Sequence, residues 1–244
     1  MSGHSKWSTI KNKKAKTDSA RAKIFTKVSK EIYVAVKNGG ADVENNRKLR
    51  DLIVKAKANN LPSENIERVI KKAAGDFDKK SYEEVVYEGY GPSGVAILVE
   101  ALTDNRNRTA SNVRHYFGKF GGKLAASGCV NFMFQEKGFV QATKNALDEE
   151  TVMEICLNLN VLDFEVDGNL LNVEVEVPKI ADVADSLKAA GFEILFAQVR
   201  KIANNFVSFS NQADLDKFNL LVQTLEDDDD VQQVWTNFEE CVED

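Results

Sequence analysis

Apolar positions in the first 75 residues recur every three to four places, the period of a helix with one buried face. Ile24, Val28, Ile32 and Ala35 form one stripe, widened by Phe25 and Val36, with Thr17 or Asp18 as cap and Gly39-Gly40 as the stop. A second helix is predicted from about Asn45 to Ala58, burying Leu49, Leu52, Ile53 and Ala56, and Asn59-Asn60 can end it. A third follows Pro62, with Ser63 as N-cap, Ile66, Val69, Ile70 and Ala73 inward and Gly75 as its stop. Residues 1–80 therefore read as a small helical domain preceded by a polar arm.

The period then changes to that of strands. EVVYEGY and GVAILVEALTD are two strand-like runs joined at Pro92-Ser93, followed by a helix through Asn112, Val113 and Phe117 that stops at Gly121-Gly122, and by a strand VNFMF. From Gly138 the order is strand (FVQAT), helix (Asp148 to Leu159), strand (LDFEV), turn at Asp167-Gly168, strand (LLNVEVEV), helix from Pro178 to Ala190, and strand (FEILFAQV). That is a complete βαββαβ, the split-βαβ pattern of a ferredoxin-like unit. NNFVSFS, a helix around Asp214 to Leu225 and VQQVWTNFE are too few to bury their own faces, so they are predicted to pack with the earlier ββαβ piece. The predicted fold class is α+β in three domains. Residues 1–80 are helical, 81–135 with 204–244 form a discontinuous α/β domain, and 136–203 are the ferredoxin-like α/β domain inserted into it.

Composition narrows the class. With 43% hydrophobic and 29% charged residues among 244, the chain is that of a globular protein, neither disordered nor fibrous. Cys129, Cys156 and Cys241 are an odd number with no C-x-x-C spacing, which fits reduced thiols and a cytoplasmic location. No apolar run reaches membrane-spanning length and the start lacks a secretory apolar block. The basic start superficially resembles a mitochondrial presequence, but such segments favour arginine, and residues 1–30 hold eight lysines against the single Arg21.

Charge is segregated far more than the net of -6 suggests. Residues 1–80 carry 20 Lys and Arg against nine Asp and Glu, residues 81–135 carry five of each, and residues 136–244 carry seven against 24. In KWSTIKNKKAKTDSARAKIFTK the cations cluster before strong helical periodicity begins, with Asp18 the only acid in the first 30 residues. Like charges so placed repel one another unless a polyanion joins them, so the arm predicts a nucleic-acid partner; the alternative is an ordinary solvated face.

The candidate contacts are the cations Lys6, Lys11, Lys13, Lys14, Lys16, Arg21, Lys23 and Lys27, with the GHSKW start. Within that start Trp7 can stack on an unpaired base, or it can fold back as an apolar anchor. TDNRNRTASNVRHYF places Arg106 and Arg108 at a helix entrance, where arginine forks beside free amides make a phosphate cradle. Equally, the two arginines can form structural salt bridges, with Asp104 or Thr109 capping the helix. Gly89, Gly91 and Gly94 spell G-x-G-x-x-G, but Pro92 and a second strand follow, so a hairpin turn is the better account than a dinucleotide site. No nucleophile motif lies near His4 or His115, and the histidines and cysteines lack metal-ligand spacing. EDDDD at 226–230 reads as a solvated acidic turn before a Mg²⁺ site. No catalytic residue, metal or cofactor is predicted, and an enzyme acting on nucleotides is the competing class. The sequence leaves the oligomeric state open, with a monomer favoured.

GHSKW, RAKIFTK, YEGYGPSGVA, TDNRNRTASNVRH and LEDDDDVQQVWTN together resemble the YebC/PmpR family, over nearly the whole chain. The resemblance implies a three-domain fold, one helical and two α/β, and a non-enzymatic nucleic-acid-binding regulator of gene expression. Members are labelled probable DNA-binding transcriptional regulators, and some act at promoters. Related members, including the mitochondrial translational activator of cytochrome oxidase subunit one, are associated with the ribosome, and some bacterial members with relief of stalling on proline-containing sequences. The family's N-terminal motif matches at Gly3, His4, Ser5, Lys6 and Trp7, and its arginine-rich loop at Asn105, Arg106, Asn107 and Arg108. The resemblance thus implies a DNA partner, or RNA in the ribosome, and no membrane. The segment after Arg200 lacks a proline found in many relatives, a difference confined to the end of the inserted domain.

Overall fold

The computed structural model describes residues 18–75, 82–145 and 147–239. Three helices come first: α1 (Asp18–Gly39), α2 (Arg47–Ala58) and α3 (Ser63–Gly75). Their apolar stripes meet as predicted, with Val28, Ile32, Leu49, Ala56 and Ile66 all buried in one cluster. The turn from α1 to α2 depends on Asn46, which is 6% exposed. Its Oδ1 accepts the Leu49 amide at 3.0 Å, capping α2, while its Nδ2 donates to the Ala35 and Gly40 carbonyls at 2.8 Å each. A Cβ on Gly39 would lie 2.7 Å from that Nδ2, so only glycine lets the cap approach.

Next come β1 (Glu83–Tyr90), β2 (Ala96–Thr103), α4 (Arg106–Lys119) and the short β3 (Lys123–Leu124). The chain then runs through β4 (Phe134–Thr143), α5 (Glu149–Asn158), β5 (Asp163–Asp167), β6 (Leu170–Val175), α6 (Ile180–Ala189) and β7 (Glu193–Ala203), and ends with α7 (Gln212–Asp227) and β8 (Val231–Thr236). Two sheets result, ordered β3-β1-β2-β8 and β5-β6-β4-β7, with every named pair antiparallel. The fold is α+β.

The chain divides into two compact units, Met133–Phe206 and the residues on either side of that segment. In Met133–Phe206 the strand order, counted within the unit, is 2-3-1-4, the ferredoxin-like arrangement of a βαββαβ chain. Val140, Ala142, Leu171 and Val173 face α5 and α6 and bury Val152, Cys156, Val183 and Leu187. On the alternate positions Gln141 donates to Asn172 at 2.7 Å and Lys137 pairs with the buried Glu174. The flanking unit holds the three helices and the first sheet, with α4 and α7 covering one sheet face around Val99, Phe117, Leu221 and Leu225.

One predicted strand is corrected. VNFMF is not a strand: Asn131–Met133 is a single 3₁₀ turn and pairing starts only at Phe134, in the other sheet. The cause is Glu88, 4% exposed, whose carboxylate accepts the amides of Gly128, Val130 and Asn131 at 2.6–2.8 Å. Burial alone would raise this carboxyl, but the three amides outweigh it and hold it below the usual range. Amides captured by a carboxylate are not free for a ladder.

The glycine motif is a hairpin turn, as predicted. A 3₁₀ turn over Pro92–Gly94 joins β1 to β2, the Gly91 amide donates to Val95 O at 2.8 Å, and Gly94 has φ +79°. Gly89 has a packing reason of its own. A Cβ there would lie 2.6 Å from the Phe117 ring and 2.8 Å from the Lys123 carbonyl. Gly89→Ala should therefore cost about 1–3 kcal/mol of unfolding free energy by overpacking, read as a lower urea midpoint with unchanged slope.

Candidate nucleic-acid interface

The basic arm (Gly3, His4, Ser5, Lys6, Trp7, Lys11, Lys13, Lys14 and Lys16) lies outside the described residues, and Arg21 falls in the first turn of α1. Lys23 and Lys27 continue along α1, and Lys30 completes the same stripe at i, i+4 and i+7. All three meet the acidic run at the end of α7. Lys23 Nζ lies 2.6 Å from Asp227, Lys27 Nζ donates to the Glu226 carbonyl at 2.7 Å, and Lys30 Nζ donates to Asp229 O at 2.8 Å and Asp230 Oδ1 at 2.7 Å. Cations at the carbonyl end of α7 also oppose its dipole favourably. Burial pushes the Lys27 ammonium down, against the pull of Glu226, Asp228, Asp227 and Asp229.

Arg108 joins the same network. Its guanidinium contacts Asp104 at 2.9 Å and Asp230 at 2.7 Å, forming the salt bridges that were one of the two readings for it. The cap of α4 is neither Asp104 nor Thr109. It is Asn105, whose side chain accepts the Arg108 amide at 3.0 Å. Thr109 instead donates to Asp230 at 2.8 Å, and Thr103 Oγ1 lies 3.2 Å from the same oxygen. Arg106 is exposed at the start of α4, while its carbonyl accepts from Tyr87 Oη at 3.3 Å.

The expectation of a solvated acidic turn is corrected at two positions. Asp230 is 4% exposed, and it remains ionised because Lys30, Arg108 and Thr109 converge on it. Burial alone would raise its carboxyl; the donors win and hold it at about 2. Asp228 accepts from Tyr116 Oη at 3.0 Å, from Asn112 and from the Asp230 amide at 2.9 Å. Burial first, then the bond to Asp228, pushes the Tyr116 phenol up to about 12. The sequence reading missed Lys30, Asp230 and Tyr116. The signal available for Lys30 was its place in the Lys23–Lys27 stripe.

Between α1, α4 and the acidic run lies an open cleft of about 580 Å³. Five aspartates (Asp104, Asp227, Asp228, Asp229 and Asp230) outnumber its three cations (Lys23, Lys30 and Arg108), so it is a poor cradle for a phosphate. Among the described residues no cluster has the makings of a metal site. Further exposed cations lie on α2 and α3, including Arg47, Lys57, Arg68 and Lys72.

Folding lowers the pKa of Asp230 from 3.8 to about 2, so the stabilisation it supplies is complete above pH 4 and is lost as the pH falls toward 2. That window should account for about 2 kcal/mol of acid destabilisation. Asp230→Asn should flatten this acid limb, and at pH 7 it should cost about 3–5 kcal/mol because Lys30 and Arg108 lose a buried counter-ion. Urea unfolding at pH 7, 4 and 2 checks both effects.

Two family models match the chain. The TACO1/YebC protein N-terminal domain covers residues 5–76, and the TACO1/YebC second and third domain covers residues 82–238. A protein of Finegoldia magna named as a probable transcriptional regulatory protein is 50% identical over 98% of this chain and 99% of its own length. One of the same name from Persephonella marina is 48% identical over 98% and 96%. The crystal structure of a conserved hypothetical protein from Aquifex aeolicus superposes with a TM-score of 0.85 at 42% identity, over 97% of this chain and 98% of that one. Matches of this extent leave one conclusion: the chain belongs to the TACO1/YebC family.

Proposed function

We propose that this protein is a non-enzymatic regulator of gene expression that binds nucleic acid through its basic N-terminal segment. The observation that carries the reading is charge segregation: 20 cations against nine acids in residues 1–80, with a single acid in the first 30. The name carried by the relatives, probable transcriptional regulatory protein, supports a regulatory role. The contacting groups are those of the GHSKW start, then Lys11, Lys13, Lys14, Lys16 and Arg21, with Arg106 as a further exposed cation. Exposed Arg47 and Lys57 on α2 extend the positive surface of the helices. Lys23, Lys27 and Arg108 are engaged by the chain's own acidic groups and add little to a phosphate grip as the structure stands.

DNA is the partner that the relatives' name favours. A second reading, ribosomal RNA, is favoured by the acidic character of residues 133–206, which hold six Lys and Arg against 13 Asp and Glu. A unit so charged is repelled by bare duplex but can face basic protein in a ribonucleoprotein.

If about five to seven phosphates of a duplex are neutralised, log K should fall with log salt at a slope of about -4.5 to -6. Changing Lys6, Lys11, Lys13, Lys14 and Lys16 together to glutamine should remove most of that slope in a gel-shift titration. A slope near zero for the unaltered protein rejects the reading. Salt-sensitive co-sedimentation with ribosomes that survives DNase selects RNA, and enrichment at defined promoters selects DNA.

A further inference from the structure

We propose that the acidic run 226–229 is a tethered competitor for phosphate: it occupies the lysine stripe of α1 and releases Lys23 when a nucleic-acid strand binds. The proposal rests on the functional reading above and adds a regulatory element to it.

The whole stripe is met by one short stretch of chain. Lys23, Lys27 and Lys30 lie on one face of α1, about 6 and 4.5 Å apart along the axis at 1.5 Å per residue. The oxygens they meet all come from residues 226–230, though not in chain order: the Asp227 carboxylate for Lys23, the Glu226 carbonyl for Lys27, and the Asp229 carbonyl with the Asp230 carboxylate for Lys30. Two carboxylates and two carbonyl oxygens thus hold the ammonium groups that a phosphodiester strand on the same helix would need.

The contacts are graded. The Lys30–Asp230 pair is 16% and 6% exposed in its side chains and is further tied to Arg108 and Thr109, so exchange there would strip a buried carboxylate of its donors. The Lys23–Asp227 pair is 38% and 49% exposed, and among the described residues Lys23 is the cation paired with the Asp227 carboxylate. Water and salt already compete for such a pair, and a polyanion would compete better. Lys23 is also the member of the stripe nearest in sequence to the basic arm. The geometry therefore makes Lys23 an exchangeable cation and Lys30 a fixed one.

The test uses the full chain, a 20-nucleotide single-stranded oligouridylate and a 20-base-pair duplex of arbitrary sequence as probes, and salt titration of binding. Asp227→Asn should tighten binding by about two- to fivefold, the change that corresponds to removing one exposed competing ion pair. It should also make the log–log salt slope more negative by about 0.7 on the single strand or 0.9 on the duplex, one further phosphate contact. Lys23→Gln in the Asp227→Asn background should abolish both gains. Asp216→Asn is the control for bulk charge, since Asp216 is exposed on α7 eleven residues earlier, about 16 Å along the axis and beyond the Debye length.

Unchanged affinity and slope in Asp227→Asn, with wild-type binding intact, overturns the competitor while leaving the functional reading standing. An equal gain from Asp216→Asn overturns it as well. Binding by Asp227→Asn alone supports it in its strongest form, and no salt-dependent binding by either protein overturns both readings together.

Discussion

A carboxylate taken out of water must be repaid in full by donors, and Asp230 is repaid from three directions. Lys30 comes from α1, Arg108 and Thr109 from α4, and the aspartate itself stands where α7 turns into β8. Desolvating one ion costs several kcal/mol, so the arrangement is stable only with every donor in place. The helical segment and the α4 entrance are thereby tied to Asp230 at one point, although they lie 200 and 121 residues from it in sequence. Asp228, two residues earlier, repeats the device with Tyr116 and Asn112.

The same logic operates at Glu88, on a different scale. There a buried carboxylate gathers three amides of one loop and makes the chain wrap instead of pair. Met133–Phe206 relies less on such ions. Its order follows from apolar alternation under two helices, with the Gln141–Asn172 bond and the Lys137–Glu174 pair completing the other positions.

For function, the consequence is that formal charge overstates available charge. The positive end of the chain is real, but Lys23, Lys27 and Lys30 are already answered by residues 226–230, more than 190 positions away. Exposed cations remain elsewhere among the described residues, Arg47, Lys57, Arg68 and Arg106 among them. Acids at the far end of the sequence thus shape the basic end, a coupling in keeping with a regulator that must let go of its target.

Element type and order were legible in the sequence because they are set locally. A stripe such as Ile24–Val28–Ile32, or the alternation in GVAILVEALTD, needs no distant partner to declare a helix or a strand, and Gly39-Gly40 and Gly121-Gly122 stop helices by backbone geometry alone. The βαββαβ order was likewise a matter of counting. VNFMF looked like a strand because its composition is strand-like, and only Glu88, some 40 residues earlier, takes its amides away. The sequence likewise displayed the lysines of α1 and the acids of 226–230 but did not join them. Hydrophobic period is a property of neighbours along the chain, whereas the partner of a charge, and whether that charge remains free for a ligand, is decided only where folding brings distant segments within hydrogen-bond reach.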